Sequence, residues 1–265
     1  GGAGGASAKT SEGEVYKIAL DDRALFLATW RARALKTLDA AACQGSPTRS
    51  EFRQLLETSW DGHASVGSVG YRLARGYLYA LYDLLFGGVN AQLAELARGL
   101  DFDTVSPRWP MVIARLLDEA PAGWLPAGRA SWREVELAAI DATIARLTQG
   151  GKPLSAATWG KYNTARIEHP FAALIPYGKR LLAAPADPQA GDENMPHVAA
   201  PSGGQSERMT VSPGHEERGI LNMPGGQSGH PLSPYFLAGH ASWVKGEATP
   251  MLPGAAQHDL RFQPK

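Results

Sequence analysis

Proline divides this chain of 265 residues. Pro47 alone lies before residue 107, and the other eighteen prolines fall between Pro107 and Pro264. A proline has no backbone N–H and its ring clashes with the preceding helical turn, so helix interiors exclude it. Long helices therefore belong to the first half, and loops and short elements dominate the second.

The apolar spacing agrees with that division. Val15, Ile18, Leu25, Phe26, Trp30, Leu35 and Leu38 keep close to a 3.6-residue period and predict an amphipathic helix over 14–42, with Ser11 and Glu14 as its capping box. Thr48 with Glu51 predicts the start of a shorter helix through Leu55 and Leu56, closed by the turn chemistry of Asp61-Gly62. Val66, Val69, Leu73, Tyr77, Leu81 and Leu84 mark a long helix expected to end at Gly87-Gly88. Further helices are expected over 90–99, 109–119 and from Ser131-Glu134 to about Leu147.

After Gly150-Gly151 the period changes. Met209 and Val211 alternate with polar neighbours, Ile220 to Met223 is a short apolar run, and Leu260 and Phe262 alternate with Asp259, Arg261 and Gln263. This pattern predicts strands, with 212–219 as the turn of a hairpin and 183–206 as a long loop. The expected organisation is α+β: a flexible Gly/Ala-rich segment over 1–11, a helical lobe over 12–150 and a β-rich part over 151–265.

Charge and composition exclude several functions. Apolar residues make up 44% of the chain, enough to build a core. The 26 basic and 26 acidic residues cancel, so the electrostatic footprint of a nucleic-acid binder is absent. No apolar run reaches the roughly 18 residues of a membrane span. Cys43 is the single cysteine and can form neither an internal disulfide nor a thiolate metal site. The seven histidines are scattered without metal-ligand spacing, and His215-Glu216 lacks a second His one turn on. Asp21 and Asp22 are adjacent, so on a helix their carboxylates diverge. Gly226-Gln227-Ser228-Gly229-His230 has the outline of a nucleophile elbow, but Pro231 and Pro234 bar the helix that must follow. No self-contained active site emerges from the residues.

Several stretches together resemble the penicillin acylase (penicillin amidase) family. They are Met223-Pro224-Gly225-Gly226-Gln227-Ser228-Gly229-His230-Pro231-Leu232-Ser233-Pro234 and Trp243-Val244-Lys245-Gly246-Glu247. Supporting matches are Ser59-Trp60-Asp61-Gly62, Thr158-Trp159-Gly160 with Asn163, Ile167-Glu168-His169-Pro170, and Gly191-Asp192-Glu193-Asn194. The chain departs from the family pattern at Tyr235-Phe236, where His-Tyr is usual, and at Ala238-Gly239-His240, near the usual Asp-Gln.

The resemblance implies an N-terminal-nucleophile hydrolase with a four-layer αββα core that the strands of this chain complete. In such enzymes autoproteolysis frees a Ser at the start of the β chain. That Ser attacks an amide carbonyl, its own α-amino group is the base, and a backbone N–H with an Asn side chain holds the oxyanion. The matches correspond to the carboxyl-terminal part of the β chain, and the chain opens on Gly1. The catalytic residues and the calcium ligands common in the family are therefore expected outside it, as is a partner, the remaining acylase precursor (α chain and amino-terminal part of the β chain). The implied substrate is a small acyl amide such as the side-chain amide of a β-lactam, the compartment is periplasmic or extracellular, and the chain alone is expected to be inactive. An N-acyl homoserine lactone acylase and a non-catalytic module of the same fold are the alternative readings. Gln227 and Ser228 are the candidate supporting residues: Gly225 and Gly226 can take positive φ, and a turn so shaped after a strand ending near Met223 would bring both side chains to the active-site wall.

Overall fold

The computed structural model describes residues 10–264. They form two compact units: Arg23–Lys161, and the residues up to Asp22 together with those from Tyr162 onward. In chain order the helices are α1 (Glu12–Ile18), α2 (Leu25–Thr37), α3 (Ala40–Cys43), α4 (Pro47–Thr58), α5 (Val69–Leu96), α6 (Phe102–Val105), α7 (Trp109–Glu119), α8 (Trp132–Leu147), α9 (Trp159–Tyr162), α10 (Gly178–Leu182) and α11 (His240–Lys245). The strands are β1 (Ala199–Ala200), β2 (Gly203–Gly204), β3 (Arg208–Thr210) and β4 (Ile220–Asn222). The fold mixes helices with small sheets and is of the α+β class.

In the unit Arg23–Lys161, α5 packs against α2, α4, α7 and α8. Tyr71, Leu73, Tyr77 and Leu81 of α5, Phe52 and Leu56 of α4, and Ile140 of α8 are fully buried. The α5–α8 contact is close because Gly76 faces Thr143; a β carbon at Gly76 would stand 2.6 Å from Thr143 Cγ2. Ser131 caps α8, its hydroxyl accepting from Glu134 N at 3.2 Å, as its sequence suggests. The stretches that carried the family resemblance here are structural. The Ser59 carbonyl accepts from Gly70 N at 3.1 Å and from Ser68 Oγ at 3.1 Å, and Trp159 N donates to Ser68 O at 2.9 Å. Tyr71 lies between Trp60, stacked at 6.2 Å, and Trp159, edge-on at 4.9 Å.

Three helix expectations are corrected. The single helix expected over 14–42 is broken after Ile18, although the Ser11–Glu14 capping box forms. Tertiary bonds take the chain out of the helix: Arg23 bridges His63, and Ala24 N donates to Gly62 O at 2.8 Å. In consequence α1, expected in the helical lobe, packs on β3 and β4. The helix expected to open at Thr48 starts at Pro47 instead, because proline's fixed φ suits the first helical position. Finally, α5 runs through Gly87-Gly88 and takes in the helix expected over 90–99. Contacts on both sides of the glycines hold it. Asn90 Nδ2 donates to Tyr82 Oη at 3.0 Å, Asn90 Oδ1 accepts from Phe102 N at 2.9 Å, and the Phe86 and Phe102 rings stack at 4.4 Å. Such contacts offset the cost of about 1 kcal/mol that each helical glycine brings.

In the other unit, β3 and β4 form the expected antiparallel hairpin, with Arg208 opposite Asn222, Met209 opposite Leu221 and Thr210 opposite Ile220. Residues 249–251 lie along the free side of β4, with Leu221 N donating to Thr249 O at 3.0 Å and Met251 N to Gly219 O at 2.8 Å. The loop over 183–206 is mostly irregular and holds the two-residue hairpin of β1 and β2. Among the described residues between Pro170 and Pro253 the longest helix is α11, with six residues. The strand expected over 259–263 does not form; Leu260 and Phe262 are exposed and no strand lies beside them among the described residues. The β-rich part thus reduces to two short hairpins. The Gly/Ala-rich segment over 1–11 lies, apart from Thr10 and Ser11, outside the described residues.

Candidate functional site

The inner face of the β3–β4 hairpin carries a charge. Arg208 is only 4% exposed, and its guanidinium is fully engaged. Nε donates to Gln205 Oε1 at 2.7 Å, and Nη1 donates to Trp243 O at 2.6 Å and to Asn222 Oδ1 at 3.3 Å. The group also lies over the Trp243 ring, 5.2 Å from its centroid. Asn222 in turn donates to Glu247 O at 3.3 Å, so hairpin, α11 and the segment after it share one polar network.

His197 closes the network, with Nε2 3.4 Å from Arg208 Nη2. Burial, then the neighbouring Arg208 charge, push its pKa down to about 4, with Asp22 opposing. The ring is therefore neutral at pH 7 and accepts from the guanidinium. Because the folded pKa lies below the unfolded value of about 6.5, the unfolded chain binds the extra proton between these limits. Stability from this group is complete above about pH 6.5 and is lost as pH falls toward about 4, on the order of 2–3 kcal/mol. Thermal melts between these pH values should show His197→Gln flattening the acid decline; an unchanged pH slope would exclude His197 as its cause.

The glycine-rich turn follows β4. Gly226 N donates to Phe236 O at 3.0 Å and Ser228 N to Tyr235 O at 3.3 Å. Tyr235 and Phe236, which depart from the family pattern, thus serve the turn through backbone carbonyls that any side chain would supply. Neither Gly225 nor Gly226 has a positive φ, contrary to expectation. Close approach is the reason for glycine at 226: a β carbon there would overlap the Tyr235 carbonyl oxygen and stand 2.8 Å from its carbon.

His240 locks this turn, a role that the sequence does not signal. The ring is buried, with Nδ1 2.6 Å from Pro224 O and Nε2 3.1 Å from Asp187 Oδ2. Each ring nitrogen thus faces one oxygen, a backbone carbonyl on one side and a carboxylate on the other. Through these two contacts a histidine ties the base of the turn to the long loop.

Gln227 and Ser228 lie together on the turn beside β4. Gln227 is exposed and lines an open cavity of about 270 Å³ with Asn222, Tyr235 and Thr249. Its Nε2 lies 3.6 Å from Met223 Sδ. Ser228 Oγ accepts from His230 N at 3.2 Å, a bond within the turn. Further along, Asn163 is fully buried and donates from Nδ2 to Gln189 O at 3.1 Å and to Gly191 O at 3.0 Å. Gly191, at φ +88°, meets the His197 carbonyl so closely that a side chain would overlap it. Asp21 lies outside the helix and accepts from His197 N at 3.0 Å.

Among the described residues no three His, Cys, Asp or Glu side chains converge to hold a metal ion. No described helix is long and apolar enough to cross a membrane. What the geometry defines is a turn held by hydrogen bonds from residues 235–240. The penicillin amidase family model matches residues 5–259, and the chain belongs to that family. Its class is therefore that of the acylases, hydrolases of amides. A comparison with curated proteins found no match.

Proposed function

We propose that the chain is the carboxyl-terminal portion of an amide hydrolase that cleaves a linear acyl amide, such as the side-chain amide of a β-lactam, into an acid and an amine. The nucleophilic Ser, freed by autoproteolysis, its α-amino base, the oxyanion donors and any calcium ligands belong to the remaining α chain and the amino-terminal part of the β chain. Together the pieces form the αββα core in a periplasmic or secreted heterodimer. The family match over residues 5–259 supports the amide-hydrolase part of this reading. The second unit supports it physically. The sheet it contributes is small, and Met209, Leu232 and Tyr235 expose 56%, 80% and 64% of their surface beside the β3–β4 hairpin and its turn. Strands from another polypeptide would cover such a face. In this assembly the turn over 224–230 forms a wall of the acyl site, with Gln227 and Ser228 as supporting groups and no covalent role.

The purified chain, mixed or co-expressed with the complementary α chain and amino-terminal β segment, is expected to restore turnover of a chromogenic phenylacetyl or octanoyl amide. Each part alone should give the blank rate. Turnover by this chain alone, or none in an assembled complex, would overturn the proposal.

A further inference from the structure

We infer that the cleft between residues 166–168 and the β1–β2 hairpin binds a small carboxylate that carries an apolar group. The cleft has a volume of about 300 Å³, and its walls include Arg166, Ile167, Ser202, Ser206, Pro224 and Trp243. Its donors are placed but unused. Among the described residues the Arg166 guanidinium makes no ion pair or hydrogen bond, and neither do the hydroxyls of Ser202 and Ser206.

The cleft is built on fixed parts. Arg166 N donates to Pro201 O at 2.7 Å, which roots the arginine against the hairpin. Gln205, just after β2, donates from Nε2 to Pro196 O at 2.7 Å and to Ala19 O at 2.9 Å, while its Oε1 accepts from buried Arg208. Trp243 is 4% exposed, and its Nε1 donates to Gln205 O at 2.8 Å. Ile167, which is 39% exposed, and Pro224 give the ligand's ring or short chain an apolar surface over the edge of the buried indole, and the planar guanidinium fork matches a carboxylate.

Charge selects a monoanion. Glu168 lines the cleft, but Lys179 pairs with it at 3.2 Å, which leaves Arg166 to face the ligand. Glu193 lines the adjoining cleft of about 490 Å³ together with Arg166. A doubly charged phosphate would meet one unpaired cation beside two acids, and would leave the apolar surface wet. This inference uses only residues of this chain and stands whether or not the hydrolase reading holds.

The test is titration of the ¹⁵N-labelled chain with phenylacetate, phenylacetamide and inorganic phosphate, following the Trp243 indole and the amides of Ser202 to Ser206. Saturable binding of phenylacetate with Kd on the order of 1 mM is expected, with the amide and phosphate at least about tenfold weaker. Arg166→Gln should weaken phenylacetate by about tenfold or more and Ser206→Ala by roughly two- to threefold. Arg180→Gln, outside the cleft, should leave it unchanged, and the melting temperature of each variant checks its fold. Absence of saturation by phenylacetate, equal affinity for phosphate, or indifference to Arg166→Gln in a folded variant would overturn the inference.

Discussion

Arg208→Met is expected to lower the stability of the unit that contains it by about 3–5 kcal/mol, the cost of breaking a buried charged network from one side. Methionine fills much of the same volume, so the loss is chiefly polar. The carbonyl of Trp243, Asn222 Oδ1 and Gln205 Oε1 all accept from Arg208 and would be left without that donor, at about 1–3 kcal/mol each for a buried group. The Trp243 ring also loses the guanidinium that lies over it. Thermal or urea unfolding followed by Trp243 fluorescence measures the loss. Titration of His197 supplies a separate readout. The Arg208 charge is the second cause that holds the His197 pKa near 4, so the variant's imidazole should titrate at a higher pH. A stability change below about 1 kcal/mol, together with an unmoved His197 titration, would refute the central place given to Arg208.

Gly226→Ala is the second large effect, and Gly225→Ala is its control. A β carbon at 226 overlaps the Tyr235 carbonyl oxygen and stands 3.0 Å from Ala238 N, and both are backbone atoms that cannot swing aside. At 225 the nearest atom is Phe236 O at 3.6 Å, an ordinary contact. One methyl at 226 must therefore push 224–230 away from 235–238 and stretch the Gly226–Phe236 and Ser228–Tyr235 bonds. The expected loss is about 2–3 kcal/mol at 226 and a few tenths at 225, with faster proteolysis of the turn in the first variant only. Equal melting of the two would mean that the turn is not held as described. In the assembled hydrolase of the proposed function, the same pair should separate in acyl-amide KM, since only the 226 variant displaces the wall.

Much of the local structure was legible in the residues. Ser11 with Glu14 and Ser131 before α8 do cap helices, because a cap is a contact between groups three residues apart. Prolines confine the long helices to the first 150 residues, since the ring's clash is local wherever it falls. The alternating stretch at 209 and the short apolar run at 220 pair as a hairpin, as the Pro-Gly turn chemistry between them suggests. The glycine-rich turn and the tryptophan motifs pointed to the family, and the match over 5–259 agrees.

Other features depended on groups distant in the chain. Gly87-Gly88 reads as a helix end, yet Tyr82, Asn90 and Phe102 hold α5 through it. The periodic stretch over 14–42 reads as one helix, yet Gly62 and His63 divide it. His240 reads as a departure from the family pattern, yet Pro224 and Asp187, from 16 and 53 residues away, make it the lock of the turn. Sequence by itself determined the helix-forming and loop-forming halves, the caps, the hairpin and the family. Tertiary structure alone decided where the helices break, which glycine is crowded, and that Arg208, His197 and His240 organise the site. The physical reason is range: propensity, capping and turn chemistry act within a few residues, whereas burial and hydrogen bonding among these side chains exist only once distant segments have met.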